Sequence, residues 1–342
     1  MRGKMLNNLR RKRLQVSNIR TFYFPMVSDS ETVVWWLENS IGISNQAMSI
    51  GTCRYLKKKI DVSFVDEKAK TQKKSELIQY VMNMIVCPSG EFIMGAMNNN
   101  ENPLRWVTIE KPFLLGETLI TSKVYESVMG INPSEKSRRS HEPVENVSWY
   151  DAVMFCNALS DIFGFEKYYT IGELFGVPRQ SDKRKKDWHR DIEINPDANG
   201  FRLPTDEEWE YAAKAKTQNK WAGTNSPALV GDYAWYDNNS KGTTHSVKQK
   251  KPNEWGFYDM SGNVFDWCEN KIYRTHLVFK DQEGIATDWY YDVDYDFDKY
   301  SYRICGGSYA SNQKAIEITN RQYANSANSK SSHVGFRIAR YI

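Results

Sequence analysis

Two capped helices set among short, turn-broken strands constrain the fold more than any other feature of this sequence. In VSWYDAVMFCNALSDIFG, Ser148 stands where an N-cap belongs and Asp151 follows three positions later, the reciprocal pairing that satisfies two otherwise unbonded amides at a helix start. Val153, Met154, Cys156, Asn157 and Leu159 then recur at the spacing of one helix face. RLPTDEEWEYAAKAK repeats the device: Thr205 caps, Glu208 reaches back, and Trp209, Ala212 and Ala213 turn inward. From about Ser75 onward, Gly, Asn and Pro interrupt short β-like runs. The chain ends in VGFRIARYI, whose Val334, Phe336 and Ile338 alternate as on a final strand. This texture predicts one large α+β domain over residues 78–342.

At 342 residues the chain has room for a second unit, since domains average roughly 150 residues. Its 40% hydrophobic and 26% charged residues exclude a fibrous or wholly disordered chain. Residues 1–78 hold 15 Lys/Arg against 7 Asp/Glu, while the remainder holds 31 against 35, so the basicity belongs to the front. Residues 1–24 carry seven of those cations and no acid. The tract is short and lacks aromatics interleaved at stacking spacing, so a solvated tail or first helix is expected rather than a nucleic-acid arm. Ser30 then caps a short helix presenting Val33, Val34, Trp36 and Leu37. Residues 1–77 thus read as a small, basic, helical region that docks on a protein partner or on the larger domain. No stretch approaches the roughly 20 apolar residues of a membrane span, and no apolar h-region follows the basic start. The expected location is cytoplasmic.

Seven segments occur in order: GEFIMG (90–95), KPFLLGETLIT (111–121), PVENVSWYDAVMFCNALS (143–160), GFRLPTDEEWEYAA (200–213), NEWGFYDMSGNVFDWCEN (253–270), GGSY (306–309) and GFRIAR (335–340). In these segments the chain resembles the formylglycine-generating enzymes, also called sulfatase-modifying factors, which implies their C-type-lectin-like fold for residues 78–342. In active members a cysteine pair shortly after the GGS-aromatic motif binds copper and oxidises a substrate cysteine with oxygen. The matching positions here are Ser311 and Ile316. An alcohol is a poor ligand for Cu(I) and isoleucine offers no donor, so no copper is expected. Cys53, Cys87, Cys156, Cys268 and Cys305 form neither a CxxC motif nor a disulfide framework. Cys305 is expected in a buried strand, and its use as a substitute nucleophile by a divergent oxidase is the alternative. His141, His189, His245, His276 and His333 are too scattered for a metal centre.

The resemblance also implies a structural calcium ion in the turn spanning residues 258–266. The carboxylates of Asp259 and Asp266 and the backbone carbonyls of Gly262 and Val264 would form its oxygen cage. The alternative is that both carboxylates bond turn amides. A second acidic stretch, DWYYDVDYDFDKYSY (288–302), alternates Asp292, Asp294, Asp296 and Asp298. It lacks the glycine and glutamate of an EF-hand and reads as a strand or extended loop.

The last unassigned stretch, ASNQKAIEITNRQYANSANSKSSH (310–333), is crowded with small, polar, adaptable residues, which suit recognition better than bond chemistry. It resembles the variable region of binding proteins targeted by diversity-generating retroelements, a non-catalytic branch of the same family. That resemblance implies a ligand-binding segment over 306–340. Its displayed residues would be Tyr309, Ala310, Ser311, Asn312, Lys314, Ala315, Tyr323, Asn325, Asn328, Ser331 and Ser332, with Tyr323 the main anchor. Arg321, Gly335, Phe336 and Arg337 would be scaffold. The plainer alternative is a polar, irregular loop. The expected function is non-catalytic binding of a protein or other macromolecular ligand.

Overall fold

The computed structural model describes residues 11–16, 19–25, 78–97, 102–136, 139–178, 186–271, 275–280, 286–291, 301–324 and 326–342. Both expected helices form, and each carries its capping box. α2 (Trp149–Phe163) starts on Ser148, whose hydroxyl accepts from Asp151 N at 3.1 Å while Asp151 Oδ2 accepts from Ser148 N at 2.9 Å. α3 (Asp206–Lys214) starts on Thr205, with the equivalent bonds to Glu208 at 3.1 and 2.9 Å. A shorter α1 (Ser122–Met129) precedes them, and a single turn, α4 (Val230–Tyr233), follows. The face of α2 differs slightly from the expected one: Ala152 and Phe155 are buried with Val153, Cys156 and Leu159, while Met154 is only half-buried.

The strands make small sheets around these helices. A four-stranded sheet runs β13 (Arg321–Ala324), β12 (Tyr302–Cys305), β9 (Phe265–Lys271), β14 (Val334–Gly335). A three-stranded sheet runs β15 (Ala339–Tyr341), β6 (Phe113–Leu115), β3 (Ile85–Cys87). Hairpins pair β4 (Gly90–Met94) with β5 (Arg105–Ile109), β7 (Tyr169–Pro178) with β8 (Lys186–Ile194), and β10 (Thr275–Lys280) with β11 (Ala286–Tyr291). The extended reading of the acidic stretch holds for its start in β11, and residues 292–300 lie outside the described part.

Two expectations are corrected. The single final strand is two: β14 pairs in parallel with β9, and β15 pairs antiparallel with β6. Val334, Phe336 and Ile338 are buried as the alternation requires, but residues 336–338 cross between sheets. Gly335 permits the crossing, because a Cβ there would meet Val144 O at 2.3 Å. The second correction concerns the N-terminal region. β1 (Arg11–Val16) and β2 (Ile19–Pro25) form an antiparallel pair instead of a helix, consistent with the β-branched and aromatic run IRTFYFP. The helix expected after Ser30 lies outside the described residues.

Three tryptophans nail the layers together. Trp149, Trp209 and Trp267 are fully buried, and each indole N–H has a partner: Cys268 O at 3.0 Å, Asp266 Oδ2 at 2.8 Å and Val147 O at 3.0 Å. Buried indoles need such acceptors to avoid an unpaired polar atom. Trp149 also stacks on Tyr302 with ring centroids 3.8 Å apart, tying α2 to β12. Buried cations are matched as well. Arg202 forks onto both oxygens of Glu208 at 2.6 and 2.5 Å, Arg321 pairs with Glu210, and Arg337 Nε donates to Asp266 Oδ2 at 2.8 Å.

Removing one member of such a pair leaves an uncompensated buried charge. Arg337→Met is therefore expected to lower the unfolding free energy by about 3–5 kcal/mol in denaturant titrations. Glu269 generates a pH prediction. Its carboxylate accepts from Tyr169 Oη at 2.9 Å and Tyr168 Oη at 3.4 Å, and burial pushes its pKa up from 4.5 to about 7 despite the pull of Arg202. A carboxyl raised in the folded state contributes full stability below about pH 4.5 and loses it as pH rises through about 7. Glu269→Gln should flatten this decline, a relative gain on the order of 3 kcal/mol at pH 8, measured by chemical denaturation across pH 4.5–8.

Candidate functional site

The C-terminal segment leaves β12 through two glycines that no other residue could replace. Gly306 and Gly307 have φ of +92° and +80°, a conformation side chains disfavour. A Cβ on Gly306 would meet Met260 O at 2.9 Å and Trp209 at 3.0 Å, and one on Gly307 would meet Ile316 at 2.5 Å. The turn that follows is bonded internally: Ser308 N donates to Ser311 Oγ at 3.0 Å, and the two hydroxyls lie 3.2 Å apart. Asn312 then holds the next turn, its Oδ1 accepting from Ala315 N at 2.9 Å.

Scaffold contacts fix the segment from both sides. Ser311 O accepts from Asp237 N, Gln313 O from Trp221 Nε1, and Ile318 N donates to Lys220 O. At the far end, Asn146 N donates to Ser331 O and Trp149 N to Ala327 O. Arg321 and Arg337, expected as scaffold, are buried, as are Gly335 and Phe336.

The structure sorts the expected display residues by exposure. Ala310, Asn312, Lys314 and Asn328 are exposed, and Ser311, Ala315, Ser331 and Ser332 are half-buried. Tyr309 departs from the expectation: it is 3% exposed and packs in a cluster with Leu119 and Val264. Its backbone explains this, because Tyr309 N donates to Asn263 O at 2.7 Å and its carbonyl accepts from Ser240 Oγ at 2.7 Å, drawing the ring inward. The backbone of Tyr323 lies on β13, while its side chain and all of Asn325 lie outside the described residues.

Tyr309 nevertheless joins the two ends of the segment. Its ring stacks on His333 at 4.9 Å between centroids, its hydroxyl donates to Ser332 Oγ at 3.3 Å, and Ser331 Oγ lies 3.3 Å from His333 Nδ1. His333, which the sequence marked only as a scattered histidine, is thus part of this patch. Burial, then the Lys136 charge, lowers its pKa from the usual imidazole range, so it meets neutral pH as an uncharged hydrogen-bonding ring. A second group missed from sequence flanks the segment. Trp235 is sandwiched by His245 at 3.8 Å and by Lys250 Nζ at 3.9 Å, and its indole Nε1 is buried without an acceptor. Chain spacing gave no sign of either cluster, since each joins residues from separate turns.

The donors required for copper do not fit. Ser311 offers an alcohol already bonded to Ser308, and the Ile316 side chain is fully buried with Trp221, Val230, Ala234 and Tyr236. In the turn considered for calcium, Asp259 Oδ2 accepts from Lys248 N and Oδ1 from Asn263 Nδ2. Asp266 Oδ2 is shared by Trp209 and Arg337, and Arg337 Nη2 also reaches the carbonyls of Tyr258 and Asp259 at 3.2 and 3.3 Å. Asp266 Oδ1 alone of the four carboxylate oxygens is buried without a partner. Among the described residues no three His, Cys, Asp or Glu side chains converge as a metal site.

Comparison with known proteins places this geometry. The structure superimposes on Treponema denticola variable protein 1 with a TM-score of 0.63 and 32% identity, covering 76% of this chain and 95% of that one. The sequence is 41% identical over 176 residues to chaperone protein LppX of Paenibacillus barcinonensis, covering 46% of this chain and 61% of LppX. It is 25% identical over 225 residues to the inactive C-alpha-formylglycine-generating enzyme 2 of Bos taurus, covering 56% of this chain and 71% of that protein. Over residues 68–342 it matches the family described as the sulfatase-modifying factor enzyme 1-like domain. With the fold its motifs implied and a family match over most of its length, the chain belongs to the sulfatase-modifying factor family.

Proposed function

We propose that this chain is a non-catalytic binding protein that presents residues 310–333 to a protein or other macromolecular ligand. One observation carries this reading: the two positions that would hold copper sulfurs have become scaffold, one a bonded serine and the other a core isoleucine. Function in a shared fold resides in the site rather than the scaffold, and here the site consists of small polar groups on rigid supports. Ala310, Asn312, Lys314 and Asn328 make first contact, and Ser311, Ala315, Ser331 and Ser332 line the surface between them. Tyr309 and His333 act beneath as its platform, while Tyr323 and Asn325 join the set on sequence grounds. The likeness to a protein named as variable supports the view that the segment is diversified.

The competing reading is a divergent oxidase working at Cys305. Its full burial argues against direct attack on a protein substrate. A structural calcium ion is a separate proposal, with Asp266 Oδ1 as the carboxylate oxygen left open to it and Asp259, Gly262 and Val264 as further ligands.

Three measurements check these readings. With Cu(I) and a cysteine-containing peptide, no oxygen uptake is expected; uptake that disappears in Cys305→Ser would defeat the binding-only reading. In the source genome, a near-copy of the codons for residues 306–340 beside a reverse-transcriptase gene is expected, with differences confined to adenines. For calcium, EDTA should lower the melting temperature and added Ca2+ restore it, and Asp266→Asn should abolish that response; a melting temperature indifferent to EDTA removes the ion from the fold.

A further inference from the structure

Two cysteines that lie far apart in sequence meet in the core. Cys305 pairs in register with Asp266 of β9, and strand alternation places Cys268 on the same face as Asp266. The two cysteines are therefore diagonal neighbours on adjacent antiparallel strands. The β9–β12 register shifts between Tyr302 and Ile304, as at a bulge, and the sulfurs lie 3.6 Å apart. Both residues are fully buried, clustered with Trp209, Met260 and Ile318. Between them the chain makes a long excursion, residues 269–304, that contains β10, β11 and the acidic, tyrosine-rich run. Immediately after Cys305 comes Gly306, the root of the C-terminal segment.

We propose that Cys268 and Cys305 are a disulfide site whose bond closes the neck of the 269–304 excursion and clamps the root of the C-terminal segment to β9. The inference does not depend on the proposed function. The oxidant is a small-molecule disulfide of the glutathione class. One cysteine thiolate attacks it, forming a mixed disulfide and releasing one thiolate; the second cysteine thiolate then displaces the other. The two cysteines lose two protons and two electrons, and the oxidant is reduced to two thiols. A disulfide requires sulfurs about 2.05 Å apart, so from 3.6 Å these must close by about 1.5 Å. Burial, then the neighbouring Cys305 and the Asp206 and Asp266 charges, pushes the Cys268 thiol well above its usual range. The folded protein accordingly reacts slowly, and the bond forms as the chain folds, while the thiols still meet solvent.

The test is oxidative refolding of the full chain. Reduced, denatured protein is refolded in a mixture of reduced and oxidised glutathione, then analysed by intact mass and non-reducing peptide mapping. The expected product has lost about 2 Da, the two thiol hydrogens, and yields one linked peptide joining Cys268 to Cys305. Its melting temperature exceeds that of the reduced form by roughly 5–10 °C, because the bond closes a long loop, and dithiothreitol reverses the gain. Cys268→Ala and Cys305→Ala each abolish the mass change, whereas Cys87→Ala and Cys156→Ala retain it. If a variant does not fold, the wild-type peptide map decides alone. Refolded protein with both thiols free, a link to another cysteine, or a metal ion bridging the two sulfurs overturns the proposal.

Discussion

The carboxylate of Asp266 is the junction on which the rest of the domain depends. One of its oxygens receives the indole of Trp209 from α3 and the guanidinium of Arg337 from the crossing between β14 and β15. Asp266 itself lies on β9, in the middle of the four-stranded sheet. Arg337 extends the junction to the carbonyls of Gly116, Tyr258 and Asp259. A helix, a sheet, the turn before that sheet and the closing segment therefore share one charge-assisted knot. Such a bond excludes alternatives by its geometry more than it adds stability, since desolvating both charges consumes much of their attraction. The turn that precedes β9 is shaped to let it form: a Cβ on Gly262 would meet Trp235 O at 2.1 Å.

Local chemistry made part of this legible in sequence. Both capping boxes were readable because their partners lie three residues apart, the inward turn of Trp209 followed from its helix, and the resemblance implied Arg321 and Arg337 as scaffold, where they are buried. What escaped were facts created by packing. The final strand divides because its alternating apolar residues satisfy two sheets in turn, which periodicity alone cannot distinguish from one long strand. Tyr309 was expected at the surface from the resemblance to variable regions, yet its own backbone bonds to Asn263 and Ser240 turn it inward. The stack of Tyr309 on His333 and the sandwich of Trp235 between His245 and Lys250 unite residues from separate loops, and the contact of Cys268 with Cys305 joins two strands far apart in sequence.

The candidate surface combines rigid support with replaceable tips. Its exposed members, Ala310, Asn312, Lys314 and Asn328, project from turns whose backbone bonds run to the scaffold or within the turn itself. Buried neighbours such as Ile316, Ile318 and Ala327 hold those turns in place. A substitution at a tip therefore changes what the surface offers without asking the core to rearrange, whereas the platform residues beneath are committed by contacts on several sides. Under the proposed binding role, this division would let one scaffold carry many chemistries at a single face.

The crossing at residues 336–338 has a consequence for synthesis. The three-stranded sheet stays unfinished until β15 reaches β6, and Asp266 has no cation until Arg337 arrives. A nascent chain emerging from the ribosome can assemble α2 and α3, but it carries an uncompensated acid in its centre until residues 334–341 clear the exit tunnel. Completion of this domain therefore waits on its last strand, and polypeptides interrupted a few codons short of Arg337 would present quality-control proteases with an open core.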